Sequence, residues 1–459
     1  MLEINQKIST QDLLSAIRQV AELSEKKLSI IFKTWNPAKG TPVFTVRGQY
    51  TARGWTEWTQ GFLFGSAILH FDLTNTKQFL ELGKKWTISS MASHLSHIGV
   101  HDHGFNNIST YGNLLRLIHE KRLAQNDWEQ SFYELALKVS GAVQAARWTQ
   151  LDSNSGYIYS FNGPHSLFAD TIRSLRVLAV SHQLGHCLMG EKDQPINLLK
   201  RLIQHAETTA RYNVFFGKSR DRWDVAGRVS HESIFNLNDR SYRCPSSQQG
   251  YSPFSTWTRG QAWILCGYTE LLEFLAILPE KEFKKIGYKK SIVLSRFLEV
   301  AKAVADFYIT YTPTDGIPYW DTAAPGLASI PNYLDKPADP FNNYEPVDSS
   351  AAIISAQGLL RLGRHLIRIK SAKQGTLYYQ AGLTIAQNIF REPYLSLDRK
   401  HQGLILHSIY HRPNDWDHVP PGSRIPRGES SLWGDYHARE LALLIYRQAQ
   451  AKPYYKFFL

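Results

Sequence analysis

The sequence predicts an all-α fold in which six helical hairpins close into a ring, and three observations lead there. Apolar residues recur at helical spacing through most of the 459 residues. The segments so marked number about twelve, while strand-like alternation is scarce and short. The connections alternate between brief ones and long ones rich in Gly, Pro, Asp and aromatics.

In order, the first segment spans 10–33 and places Leu13, Leu14, Ile17, Val20, Ala21 and Leu28 on one stripe, with Ser9 or Thr10 as its cap. The others are expected at 56–72, 75–93, 106–120, 127–146, 167–184, 195–211, 256–275, 283–311, 348–366, 374–392 and 430–448. The long connections are 94–105, 150–166, 212–255, 312–347 and 393–429. Loops of that length in a compact chain are usually functional or disordered, and these carry Trp, Tyr, His and Asp rather than low-complexity sequence. No repeat survives at fixed period, and no linker-like break interrupts the series, so 1–459 is expected to form a single domain.

Composition narrows the partner. Hydrophobic residues make up 43%, charged residues 20% and aromatics 12%, with 12 Trp, which excludes disordered and collagen-like sequence. The aromatic surplus serves either a large core or the stacking of sugar rings. Lys and Arg outnumber Asp and Glu by 52 to 40. These cations are dispersed, with no block of five or six and no nucleic-acid motif, so a small anionic partner is expected and nucleic acid is not. Cys187, Cys244 and Cys266 form no CxxC pair and no disulfide framework. The N-terminal residues show no signal-peptide pattern, and no stretch approaches ~18 apolar residues. A soluble cytoplasmic protein that engages no membrane is the expectation.

Three constellations carry chemistry. His101-Asp102-His103-Gly104-Phe105 follows the third helix. Its carboxylate between imidazoles suits a catalytic acid or base, an H-x-H metal site, or a loop-ordering cap. Asp170, in Phe168-Ala169-Asp170-Thr171, opens an apolar helix. It serves there either as a first-turn acid held by the helix dipole or as a desolvated carboxyl with a raised pKa. The run from Gln248 to Trp263 is more specific. Trp257 shares a helical face with Gln261, and Arg259 shares one with Trp263, which sets an amide and a guanidinium beside rings, as a pocket for an acidic sugar requires. The alternative is an aromatic core helix with one buried ion pair.

Together the motifs W-T-Q-G-F at 58–62, H-D-x-G-F at 101–105, the run from Gln249, D-G-x-P-Y-W-D at 315–321, D-S-S-A-A at 348–352 and L-W-G-D-Y at 432–436 resemble, in that order, the unsaturated glucuronyl hydrolases of glycoside hydrolase family 88. The related family 105, the unsaturated rhamnogalacturonyl hydrolases of pectin or ulvan breakdown, shares some of them. The resemblance covers about 55 to 448. It implies an (α/α)6 barrel and a substrate with a C4=C5 double bond in a terminal uronic acid, of the kind lyases leave on glycosaminoglycan-type oligosaccharides. It further implies hydration of that vinyl ether, with Asp170 protonating C4 and activating water for C5 while Asp102 holds the sugar and stabilises charge. Trp58, His101, His231, Gln249, Trp257, Arg259 and Trp263 match positions that line the family's sugar site. No cofactor and no metal are implied.

The sequence also departs from the family. Phe161 stands where Trp is usual, the residues around Asp170 match loosely, and insertions lengthen 212–230, 322–347 and 411–428. The last insertion brings Arg424 and Arg427, which read either as a sulfate contact or as a solvated basic loop. A non-catalytic acidic-sugar-binding relic and a hydrolase or lyase of saturated glycans are the competing readings.

Overall fold

The computed structural model describes residues 1–54 and 57–458; the expected start of the second helix, residue 56, lies outside them. Each of the twelve expected helical segments is present. We number the barrel helices α1 (Leu14–Thr34), α2 (Gln60–Thr74), α3 (Lys77–Ser90), α4 (103–119), α5 (Asp127–Ala146), α6 (Leu175–Gln183), α7 (Leu198–Tyr212), α8 (Thr258–Ile277), α9 (Lys290–Tyr311), α10 (Ser349–Arg368), α11 (Ala372–Ile389) and α12 (Leu432–Ala449).

Burial sorts them into two rings. α2, α8, α10 and α12 are buried on nearly every side; α2 is largely apolar all round, while α10 and α12 also bury polar and charged side chains. α1 instead buries Ile17, Val20, Leu23, Ser24, Lys27, Leu28 and Ile31 along one stripe and leaves its opposite face to solvent. The even-numbered helices pack in a closed circle, α2 on α4, α4 on α6, α6 on α8, α8 on α10, α10 on α12 and α12 back on α2. The odd-numbered helices lie outside them, α3 against α2, α9 against α8 and α11 against α10. This is the (α/α)6 barrel.

Glycines permit the closest approaches. A Cβ on Gly61 would lie 2.4 Å from the Asn106 carbonyl oxygen, and one on Gly104 would lie 2.7 Å from Cα of Ser174. Two motif glycines are thus needed where α2 meets α4 and α4 meets α6.

Three segments differ from expectation. The one expected at 283–311 breaks into Glu280–Lys285 and α9, because Gly287 turns left-handed at φ +81°. α4 begins at His103, ahead of the expected 106, and widens to π-helical turns over Ile108–Gly112. The segment expected at 167–184 starts as a strand, Ser166–Phe168, continues as a 3₁₀ turn, Ala169–Ser174, and only then becomes α6. Pairing with strand Glu232–Phe235 overrides helical propensity at its start.

Charge fills the barrel axis below the loops. Arg173 donates through Nε to Glu270 Oε2 at 2.7 Å and through Nη2 to Glu270 Oε1 at 2.9 Å. Arg361 Nη1 reaches Glu273 Oε2 at 2.7 Å, and Glu440 lies 3.5 Å from Arg173. Paired, such buried charges are tolerated, whereas deleting one partner strands the other. No helix among the described residues is long and apolar enough to cross a membrane.

Candidate active site

A cavity of about 490 Å³ opens among the long loops. Asp102, Asp170, Trp58, His101, Gln249, Trp257, Arg259 and Trp263 all line it, so eight of the nine expected site residues share one wall system. The ninth, His231, lies directly behind Asp170.

The floor is built by strand and turn geometry. Strand Glu232–Phe235 pairs with Ser166–Phe168, and Ala169 donates its backbone N–H to the His231 carbonyl at 2.8 Å, which brings His231 and Asp170 together. Arg173, three residues on, is clamped into the barrel-axis charges and fixes the turn from below. Asp102 immediately precedes α4, whose start is pinned by Ser174 Oγ donating to the His101 carbonyl at 2.6 Å. Arg147 Nη2 donates to the carbonyls of Tyr159 at 2.9 Å and Ser160 at 2.8 Å, and its Nη1 to that of Ile98. It thereby ties the His101 loop to the Phe161 loop.

His101 Nε2 stands 3.2 Å from Asp170 Oδ2 and 3.6 Å from Asp102 Oδ1, one imidazole nitrogen shared by two carboxyls. The environments of these carboxyls differ. Burial pushes Asp102 above the usual carboxylate range; the His101 charge opposes this and the Asp170 charge adds to it. Burial also pushes Asp170 up, but the hydrogen bond from His101 and the charges of His101 and His231 outweigh it and hold Asp170 below. Burial works against a charge on His101, yet Asp102 and Asp170 together raise it.

His231 has a fixed tautomer. Its Nδ1 accepts the backbone N–H groups of Gln248 at 3.0 Å and Gln249 at 3.3 Å, so the proton sits on Nε2, which faces Asp170 Oδ1 at 3.8 Å. Asp170 Oδ1 has no hydrogen-bond partner among the described residues. One oxygen of Asp170 thus faces His101 and the other, itself buried, faces His231.

The walls are aromatic. Phe161 lies face-on to His101 with centroids 6.3 Å apart, filling the place expected of a Trp. Trp58 stacks on Trp433 at 5.0 Å, which gives the L-W-G-D-Y motif its tryptophan role, and Trp257 meets His231 edge-on at 4.8 Å. Arg259 is spent on the protein. Its Nη1 donates to Asp348 Oδ2 at 2.9 Å and to the Ile409 carbonyl, and its Nη2 donates to Gln249 Oε1 at 2.9 Å and the Tyr410 carbonyl at 2.7 Å. Its guanidinium lies 4.6 Å from the ring centroid of Trp257 and 4.9 Å from that of Trp433.

Two expectations need correction. Gln261 does not join the site: helix α8 starts at Thr258, and Gln261 Nε2 donates outward to the Val304 carbonyl at 3.2 Å. Gln249 supplies the amide instead. The H-x-H pair diverges, since His103 turns to His97 (2.8 Å) and Asn106 (3.2 Å) and leaves only His101 at the carboxylates. Ligand atoms of His101, Asp102 and Asp170 do lie within 4.8 Å of one another.

Sequence reasoning missed several cavity residues. Tyr410, His411, Asn414 and Trp416 come from the 411–428 insertion and its edge, and Glu57 and His97 also line the wall. Only the aromatic content of that insertion hinted at them. Arg424 and Arg427 do not line the cavity; Arg427 donates to the Phe341 carbonyl at 2.6 Å.

No family model matches the chain. It is 22% identical over 387 residues to the unsaturated glucuronyl hydrolase of Formosa agariphila, covering 84% of this chain and 78% of that one. It is 25% identical over 410 residues to the enzyme of that name from Bacillus sp. strain GL1, covering 87% and 89%. The crystal structure of unsaturated glucuronyl hydrolase from Bacillus sp. GL1, described as responsible for the degradation of glycosaminoglycan, superposes with a TM-score of 0.69 at 21% identity, covering 95% of this chain and 97% of that one. The chain is therefore related in sequence and fold to the unsaturated glucuronyl hydrolases, as its motifs indicate.

Proposed function

We propose that this relative of the unsaturated glucuronyl hydrolases is itself a glycoside hydrolase. Its single catalytic domain releases a terminal 4,5-unsaturated uronic acid from lyase-generated, glycosaminoglycan-type oligosaccharides. The observation that carries this reading is His101 set between a buried carboxyl, Asp170, and a half-buried one, Asp102, of opposite pKa direction on the floor of an aromatic-walled cavity. Carbon protonation needs a carboxylic acid and water activation needs a carboxylate; Asp170, beside an imidazole that can give it a proton, can serve as each in turn, while Asp102 in its different surroundings holds the sugar. The relic reading is disfavoured because both carboxyls are retained. Three free cysteines fit a reducing compartment and hence the cytoplasm.

The reaction adds one water across C4=C5. A proton goes to C4, hydroxide adds at C5, and the resulting hemiketal opens to release the neighbouring sugar. In the empty site Asp170 is the ionised member. An arriving uronate carboxylate opposes that, because like charge raises a carboxyl pKa. Protonation of Asp170 thus follows binding, with His101, 3.2 Å away, as the source. Asp170 passes the proton to C4 and, ionised again, takes one from the attacking water. Asp102, whose pKa burial raises, stands on the other carboxyl position beside His101 and hydrogen-bonds to the sugar. A panel of unsaturated disaccharides differing in linkage and sulfation tests the reading: loss of double-bond absorbance is expected for at least one member, and turnover of none overturns it.

Three further outcomes are expected. No step needs a Lewis acid, so prolonged chelation followed by dialysis should leave kcat unchanged, with recovery only on metal addition as the contrary result.

Arg259 is the sole Arg or Lys lining the cavity among the described residues, and its donors are committed to the protein. Unsulfated disaccharides should therefore be turned over at least as well as sulfated ones, and the Arg424→Ser/Arg427→Ser pair should stay within about twofold of wild-type kcat/KM.

The third outcome concerns pH. Activity should fall as pH rises through the raised Asp102–His101 set, since the deprotonated site has no proton to deliver. Burial first, and the Asp102 charge second, push Glu57 up to about 7, so the Glu57 and Asp102 carboxyls oppose one another's ionisation. Glu57→Gln should therefore move the alkaline limb of kcat/KM to lower pH; an unmoved limb would show that Glu57 does not act on Asp102.

A further inference from the structure

A second hollow, of about 420 Å³, lies where α7 begins, between the strand Trp148–Gln150 and the helix Glu280–Lys285. It shares no lining residue with the substrate cavity. Its side chains include Lys200, Arg201 and Lys285, and no carboxylate lines it among the described residues.

Arg201 is the unusual member. Its guanidinium carbon sits 4.0 Å from the centroid of Trp148, held in place by the ring. Its Nη1 is buried with no hydrogen-bond partner, and it makes no ion pair among the described residues. Burial pulls its pKa down to about 10, the mark of a cation removed from water without a counter-charge.

The neighbouring polar groups do not answer it. Gln150 Nε2 donates to the Ser155 carbonyl at 3.0 Å, Gln204 Nε2 donates to the Asn154 carbonyl at 3.0 Å, and Asn197 Oδ1 accepts the Lys200 N–H at 3.0 Å. Lys285 meets Glu282 at 3.1 Å on the exposed rim, while Lys200 has no ion-pair partner among the described residues. Arg201 is part-buried with one nitrogen wholly enclosed and unpaired, and a guanidinium fork fits a planar or tetrahedral oxyanion with two parallel bonds.

We propose that this hollow binds an oxyanion on Arg201 and Lys200, either a free phosphate or sulfate or the acidic group of a sugar chain. The site lies apart from the cavity that the proposed hydrolase reaction uses, so the two stand or fall separately.

Isothermal titration of the full chain with inorganic phosphate, inorganic sulfate and uncleaved chondroitin sulfate tests it. Wild type is expected to bind at least one of the inorganic anions. Arg201→Gln should weaken that binding at least ~10-fold, and Lys200→Ser, which removes only a part-exposed lysine, at least ~3-fold. Both variants should keep wild-type turnover of unsaturated disaccharides. Additional Arg201-dependent binding of the polymer assigns the anion to a sugar chain; its absence assigns it to a free ion. No inorganic-anion binding in wild type, or equal binding in both variants, overturns the proposal.

Discussion

Asp170→Asn is expected to lower kcat by ~10²–10⁴-fold while changing substrate affinity little. The amide keeps the size of the carboxyl and can still face His101, 3.2 Å away, but it cannot pass a proton to carbon or take one from water. No other group replaces it. Asp102 stands at the longer distance of 3.6 Å from the shared imidazole nitrogen, and the proton on His231 Nε2 is locked there by the two backbone N–H groups on Nδ1. Steady-state kinetics on an unsaturated disaccharide, with an equilibrium binding measurement beside it, separates the two quantities. Near-wild-type turnover would assign the proton to Asp102, the carboxyl that burial favours as an acid in the empty site. Asp102→Asn should also be severely impaired, but partly through KM, because its proposed role is to hold the sugar.

Arg259→Lys is expected to act on both stability and rate. Arg259 is 1% exposed, and its guanidinium joins four groups from three segments: Asp348 at the start of α10, Gln249, and the carbonyls of Ile409 and Tyr410. An ammonium keeps the charge beside Asp348 but cannot span that set, nor lie flat between Trp257 and Trp433. Leaving buried acceptors unpaired should cost about 2 kcal/mol or more of folding stability. Because Gln249 and Tyr410 line the cavity, kcat/KM should fall at least ~10-fold, about 1.4 kcal/mol of transition-state stabilisation. Denaturant midpoints together with kinetics on the folded fraction check this. Loss of stability with unchanged kinetics would make Arg259 a strut and nothing more.

Much of this was legible in the chain itself. The helices announced themselves because outer ones such as α1 carry a stripe and inner ones such as α2 and α8 a long apolar run, and length told these from strands. The site residues announced themselves through types that a core seldom collects, such as a carboxylate between imidazoles at 101–103 or an arginine between tryptophans at 257–263. What stayed hidden was set by contacts across long sequence separations. Gln261 looked like a site residue from helical spacing alone, but the helix begins one residue after Trp257 and turns it toward α9. Arg259 read as a possible substrate contact until Asp348, 89 residues on, was seen to occupy it. The opposite pKa directions of Asp102 and Asp170 depend on which carboxyl His101 and His231 face, and neither distance has a local signature.

The central claim is that the chemistry begins at the double bond, and a matched pair of disaccharides tests it most directly. One carries the terminal 4,5-unsaturated uronate and the other its saturated counterpart, with the same linkage and neighbour. Double-bond absorbance and release of the neighbouring sugar are followed in parallel. The account predicts that the unsaturated member loses absorbance and releases its neighbour, that both processes collapse together in Asp170→Asn, and that the saturated member is untouched. Release from the saturated disaccharide at a comparable rate would contradict it.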